Sequence, residues 1–282
     1  MKEKFIEKVK DVYDLKENSL VIVSTDRISA FDSVLTNVTI PYKGIVVNKM
    51  SQFWFSYTST LIRNHMISAS TSDMPKDFRK IEFNGRCMLV NKLEMLPLQC
   101  IVRGYITGSG WESYKNSGSV CDIELPRGLQ ESEKLKYPIY TPIIKTQDAH
   151  NKQVSFEQTV DILGGDEKLA EELRNISIRL YQTCSAFAEK KGILIADTKF
   201  EFGLDEYGNI ILAEAITPDN SRLWDARTYK LGQLQRNFDK QYLKDWLKEE
   251  NLANTPSEAV IPEKVIKETS KRYIEAYKIL IK

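Results

Sequence analysis

Histidine is almost missing from this chain: His65 and His150 are the only two in 282 residues. Chemistry built on a histidine base or a histidine-rich metal cage has little to work with. Cysteine is equally thin, and Cys87, Cys100, Cys121 and Cys184 form no C-x-x-C pair. That argues against a disulfide framework or a zinc site and for isolated buried thiols in a reducing, cytoplasmic setting. No apolar run approaches the roughly 20 residues of a membrane span. The opening Met1-Lys2-Glu3-Lys4-Phe5-Ile6-Glu7-Lys8 is too charged for a secretory signal. No charge predominates either: 40 basic residues face 39 acidic ones, a formal charge of +1, so no nucleic-acid partner is expected. Neither G-x-G-x-x-G nor G-x-x-x-x-G-K-[ST] occurs, and there is no H-R-D or D-F-G set. The standard dinucleotide, P-loop and protein-kinase fingerprints are therefore absent.

What is present is an ordinary globular composition, 42% hydrophobic and 28% charged, in a chain long enough for one or two domains. Leu20 to Thr25, Cys87 to Leu93 and Leu98 to Val102 read as strands. Lys49 to Ile62 carries Met50, Phe53, Trp54, Tyr57 and Leu61 at near-helical spacing and reads as a packed helix. From Asp166 to Lys191 apolar residues recur at steps of three and four, with Gly192 as the expected C-cap. Two more helices are expected from about Asp239 to Glu250 and from Pro262 to Ile281. Lys115 to Ser155, with three prolines and little periodicity, reads as a long excursion.

The most informative stretch is Asp197-Thr198-Lys199-Phe200-Glu201-Phe202-Gly203. In a strand, residues two apart share a face. Asp197, Lys199 and Glu201 then form one charged row, while Thr198, Phe200 and Phe202 face the core. A turn at Tyr207-Gly208 leads into a second apolar strand carrying Glu214, which a hairpin sets roughly opposite Glu201. Facing carboxylates repel, so a positive group belongs between them, and Mg²⁺ suits such oxygens. Thr217-Pro218-Asp219-Asn220-Ser221-Arg222 adds an acid and an arginine. A solvated strand face is the bland alternative.

Three further segments carry weaker signals. Arg103-Gly104-Tyr105-Ile106-Thr107-Gly108-Ser109-Gly110-Trp111 joins a strand to a short helix; its glycines would let backbone amides approach an anion, with Ser109 at the helix N-terminus and Arg103 as a forked donor. Lys8 and Lys10 alternate in strand fashion and suit nucleotide phosphates, or merely decorate an edge strand. Thr25 to Asp32 is a strand end rich in hydrogen-bonding groups, and Lys145 stands alone in the excursion.

Taken together these segments resemble the phosphoribosylaminoimidazole-succinocarboxamide synthase family, from about Lys8 to Asp245, with Leu98 to Trp111 the most specific block. The resemblance implies an α+β fold related to ATP-grasp enzymes. A small β-rich domain (1–92) and a larger domain (93–282) would hold ATP in the cleft between them. It implies an ATP-dependent ligase of purine biosynthesis, a monomer or homodimer, that joins L-aspartate to the carboxylate of 4-carboxy-5-aminoimidazole ribonucleotide through an acyl phosphate. Phosphoryl transfer needs positioning and charge neutralisation rather than a histidine.

By the same resemblance, Glu201 and Glu214 hold Mg²⁺ on ATP, and Lys8, Lys10, Lys145 and Glu201 contact the nucleotide. Arg103, Ser109 and Arg222 grip the ribonucleotide phosphate. Lys199 stabilises the reacting carboxylate, Asp197 and Asp219 hydrogen-bond substrate, and Ser29 and Asp32 shape the imidazole or amino-acid side. Three positions depart from the family pattern: Glu7 replaces a usual glycine, Ala215 a usual acid and Asn151 a common aspartate. The rival readings are a small-molecule kinase of the inositol-polyphosphate type and a non-catalytic nucleotide-binding protein.

Overall fold

The structure, a computed structural model, describes residues 3–16, 18–144 and 152–282. The chain opens with β1 (Glu3–Ile6), β2 (Lys10–Asp14) and β3 (Ser19–Ser24), then a hairpin of β4 (Arg27–Ala30) and β5 (Ser33–Thr39), and helix α1 (Lys43–Tyr57). β6 (Met66–Ser68) and β7 (Cys87–Asn91) complete a first sheet of order β1-β2-β3-β7-β6. β8 (Glu94–Met95) and β9 (Leu98–Tyr105) lead to α2 (Gly108–Ser117), followed by β10 (Ser119–Val120), β11 (Ile123–Glu124), β12 (Lys134–Tyr140), β13 (Ile143–Ile144) and β14 (Lys152–Gln153). Helices α3 (Phe156–Ile162) and α4 (Glu167–Lys190) precede β15 (Ile193–Leu204), β16 (Ile210–Glu214) and β17 (Ser221–Asp225). Helices α5 (Gln241–Glu249) and α6 (Glu263–Ile281) close the described chain.

The long strand β15 is the axis of the second sheet, of order β14-β13-β9-β15-β16, with β17 and β8 also paired to β15 and β12 to β9. Its Thr198, Phe200 and Phe202 are buried, as the alternation predicts. Both phenylalanines join a large core with Met50 and Trp54 of α1, Leu173 and Leu180 of α4, and Tyr273 of α6. Helix α4 buries Leu173, Leu180 and Cys184, receives a cap from Asp166 onto the Leu169 N–H at 2.9 Å, and exits through Gly192 at φ 92°. That exit needs the left-handed conformation glycine adopts without strain.

Helix α1 begins at Lys43 and ends at Tyr57, ahead of the expected 49–62 span. Its start is capped from a distance, since the Asp26 carboxylate accepts the Gly44 N–H at 2.8 Å, which satisfies an otherwise orphaned donor. At its end Thr58 turns its hydroxyl onto the Trp54 carbonyl at 2.7 Å, leaving Leu61 in the turn beyond. Of the expected excursion at 115–155, the described residues hold the last turn of α2, strands β10 to β14 and an irregular stretch between β11 and β12; a capping box at Ser155 and Gln158 opens α3.

The β4–β5 hairpin packs away from its sequence neighbours. Ile28, Ala30, Leu35 and Ile40 share a separate core with Leu243 and Leu247 of α5 and Val265 of α6. Its tip, Phe31 at φ 48° and Asp32 at φ 62°, places two consecutive non-glycine residues in the left-handed region. Such residues store strain of about 1–3 kcal/mol each, a feature that gathers at functional sites.

Candidate active site

Register on β15 builds the site. Asp197 lies opposite Arg103 of β9 on one side and Arg222 of β17 on the other. Arg103, only 2% exposed, donates Nη1 to Asp197 Oδ2 at 2.8 Å, Nε to Thr141 Oγ1 at 3.0 Å and Nη2 to Ser109 Oγ at 3.1 Å. Arg222 donates Nη1 to the same Asp197 oxygen. Burial alone would favour the neutral acid, but the two guanidiniums and Lys199 outweigh it and hold the Asp197 carboxyl below the usual carboxylate range. A bulge in β15 between Ile195 and Asp197 resets the pairing with β17 just before this point, a device common beside active sites.

Two glycines of the Arg103 to Trp111 block leave room for arginines, and Gly104 leaves room for Tyr181, whose hydroxyl a methyl there would meet at 1.8 Å. A methyl at Gly108, whose φ is 54°, would lie 2.1 Å from Arg222 Nη2. One at Gly110 would press on the Arg103 side chain at 3.1 Å. Ser109 sits in the first turn of α2, where the sequence pattern predicts it.

Two residues along β15, Lys199 is half-buried, and burial together with Lys240 and Arg222 pulls its ammonium down to about 8 against the opposing charge of Asp197. Two further along, Glu201 pairs directly with Glu214 of β16. Lys10 Nζ meets Glu214 Oε1 at 2.7 Å. Burial works against the Lys10 charge, but Glu214, Glu201 and Glu7 hold its pKa well above the usual lysine value. Glu201 Oε1 accepts from Gln99 Nε2 at 2.7 Å, while Gln99 Oε1 is buried with no hydrogen-bond partner among the described residues.

The N-terminal lysines part company. Lys10 begins β2, an interior strand, so the edge-strand reading fails for it. Lys8 lies in the preceding turn rather than on the strand, and reaches Asp32 at 3.6 Å. Ser29 sits in β4 opposite Val34, below that hairpin tip. Lys145 and the departure at Asn151 lie outside the described residues. So does His150, while His65 is buried and held neutral, its pKa lowered to about 3 by burial and by Lys10.

Four residues of this region carry no signal in the sequence. Lys43, 1% exposed, meets Asp219 Oδ2 at 2.6 Å, and Tyr273 of α6 donates to Asp219 Oδ1 at 2.8 Å. Against burial, Lys43 and Lys240 keep the Asp219 carboxyl below its usual range. Lys240 and Lys244 stand at the start of α5, where a lysine pair one turn apart reads as a solvated face. Among the described residues no group of three or more acidic, histidine or cysteine side chains is placed to cage a metal. No helix there is long and apolar enough to cross a membrane.

A sequence profile described as SAICAR synthetase matches residues 6–259. The chain belongs to the SAICAR synthetase family. Membership makes it an ATP-dependent carbon–nitrogen ligase of purine biosynthesis. The phosphoribosylaminoimidazole-succinocarboxamide synthase of Lachnospira eligens is 49% identical over 280 residues, covering 97% of this chain and 93% of the relative. That of Geobacter sulfurreducens is 45% identical over 272 residues, covering 95% and 90%. Among solved structures, the SAICAR synthase of Saccharomyces cerevisiae complexed with SAICAR superposes with a TM-score of 0.89 at 37% identity, over 99% of this chain and 94% of the other.

Proposed function

We propose that this chain condenses L-aspartate with the carboxylate of 4-carboxy-5-aminoimidazole ribonucleotide at the charged row of β15, in the cytoplasm. The observation that carries the assignment of roles is that row itself: Asp197 with its two arginines, then Lys199, then the Glu201–Glu214 pair with Lys10, in alternate positions of one strand.

In the first step a substrate carboxylate oxygen attacks the γ-phosphorus of ATP, and the bond to the β,γ-bridging oxygen breaks to leave ADP. Lys199 neutralises the carboxylate, and Lys8, Lys10 and Lys145 face the nucleotide phosphates. In the second, the free amine of aspartate attacks the acyl carbon. A C–N bond forms, the C–O bond to phosphate breaks, and the amine proton leaves with phosphate or solvent. Arg103, Ser109 and Arg222 hold the ribonucleotide phosphate, while Asp197 fixes both guanidiniums and hydrogen-bonds the substrate with Asp219. Ser29 and Asp32 close the imidazole or amino-acid side.

Mg²⁺ takes few protein ligands when phosphates and water supply the rest, so two carboxylates suffice. Glu201 and Glu214 would hold it, and the unpartnered Gln99 Oε1 beside Glu201 offers a third oxygen. Bound there, the ion would neutralise charge on the transferring phosphoryl group. The division into residues 1–92 and 93–282 with ATP between them belongs to the same reading. Its support is that the first sheet draws on residues 3–91 and the second on residues 94–225.

The test is ADP release from ATP, Mg²⁺ and the ribonucleotide, with and without L-aspartate. The reading requires release that depends on both co-substrates and a succinocarboxamide product by mass. ADP release independent of aspartate would instead favour a kinase.

A further inference from the structure

Most of the buried and half-buried cations of the site have a carboxylate. Lys10 has Glu214, Lys43 has Asp219, and Arg103 and Arg222 share Asp197. Among the described residues, Lys199, Lys240 and Lys244 have no ion pair within 4.0 Å, although all three are half-buried. They converge from two elements. Lys199 comes from β15, and Lys240 and Lys244 lie one turn apart at the start of α5. The charges of Lys240 and Arg222 repel both Lys199 and Lys244.

This convergence is built rather than incidental. The buried Asp239 carboxylate accepts the Leu223 N–H at 2.8 Å and the Gln241 N–H at 2.7 Å. That fastens the first turn of α5 to β17 beside Arg222. Phe31, at the strained hairpin tip, lies with its ring centroid 5.7 Å from Lys244 Nζ. The acids facing the cluster are Asp32, which reaches Lys8, Asp197, which serves two arginines, Asp219, which serves Lys43, and Asp239, which is committed to backbone. A half-buried cluster of like charges without its own counter-ions destabilises the folded chain unless an anion completes it.

We infer that Lys240 and Lys244 recognise the carboxylates of the amino-acid co-substrate and so set its specificity for a dicarboxylate. The inference rests on the reading given under Proposed function. There the ribonucleotide phosphate is taken by Arg103, Ser109 and Arg222, the reacting carboxylate by Lys199, and the ATP phosphates by the Lys8 and Lys10 side. The two carboxylates of L-aspartate are the anions left over, and this wall holds the cations left over. The same positive field favours the unprotonated aspartate amine, the form that attacks the acyl phosphate.

The experiment is steady-state kinetics of the full chain with Lys240→Gln, Lys244→Gln and Lys244→Arg, varying each of the three substrates. Losing one charge-assisted contact should raise the KM for L-aspartate roughly 10- to 100-fold. The KM values for ATP and the ribonucleotide should stay near wild type, and Lys244→Arg should recover most of the loss. A purely structural lysine would not produce that split. Thermal midpoints of the glutamine variants should equal or exceed wild type, because each removes an unpaired charge. A rise in the ribonucleotide KM with aspartate unaffected would overturn the inference and assign the wall to that substrate. Unchanged KM values throughout would overturn it as well. Wild-type turnover that ignores aspartate would instead sink the functional reading beneath it.

Discussion

Lys43 and Asp219 meet at 2.6 Å between the first turn of α1 and the turn entering β17, with Lys43 only 1% exposed. Removing one partner of a buried pair leaves the other charge uncompensated. Lys43→Met should therefore destabilise the fold by about 3–5 kcal/mol, measured by urea denaturation. The double variant Lys43→Met with Asp219→Asn should recover part of that loss. Equal destabilisation by the single and double variants would show that the pair is not what Lys43 supplies.

The same pair sets a pH dependence. The folded carboxyl of Asp219 is held below its unfolded value. Its contribution is thus fully present above about pH 4, the ordinary carboxylate value, and is lost as pH falls through the lower folded value. Acid denaturation of Asp219→Asn should be shallower than that of wild type over this window. Parallel curves would count against the linkage.

Gly108→Ala should disable substrate binding without unfolding the chain. The added methyl would lie 2.1 Å from Arg222 Nη2, the far end of a movable side chain. Displacing one guanidinium fork should raise the KM for the ribonucleotide roughly 10-fold or more, with ATP affinity unaffected. An unchanged KM would mean that Arg222 does not touch this substrate.

Glu214→Ala removes one proposed metal oxygen and the partner of Lys10. The Mg²⁺ concentration for half-maximal ADP release should rise at least ~10-fold. Full activity at ordinary Mg²⁺ would sink the metal assignment.

Lys199 titrates at about 8, so its charge is present below that pH and is lost above it. The kcat/KM for the ribonucleotide, which reports the free enzyme, should fall as pH rises through about 8. Lys199→Arg stays charged and should flatten that limb. A limb of the same position in Lys199→Arg would assign it to another group.

Much of this site was legible because strand alternation is a local code. Asp197, Lys199 and Glu201 declare their shared face within five residues, and the Tyr207-Gly208 turn sets Glu214 opposite Glu201. The long helix before β15 announced itself by period and by Gly192. Lys43, Tyr273, Lys240 and Lys244 were not legible, because their roles arise only when distant segments meet. Lys43 is defined by Asp219, and Lys244 by the strained tip at Phe31 and by Arg222. The early start of α1 was hidden in the same way, since its cap is Asp26 on another element. The glycines near Arg103 suggested a ligand cradle; only the folded packing shows that Gly108 and Gly110 also make room for arginine side chains.

The placement of Asp197, Lys199 and Glu201 on one extended strand has a metric consequence. Two residues of strand advance about 6.7 Å, so Asp197 and Glu201 stand roughly 13 Å apart with Lys199 midway. Between the bulge before Asp197 and the register shift at Glu201–Phe202 against β16 the strand pairs regularly with β9, and it acts as a ruler for a ligand laid along it. On the proposed roles, a ribonucleotide analogue with its sugar–phosphate arm shortened by even one bond should reach the arginines at Asp197 or the ammonium of Lys199, but not both.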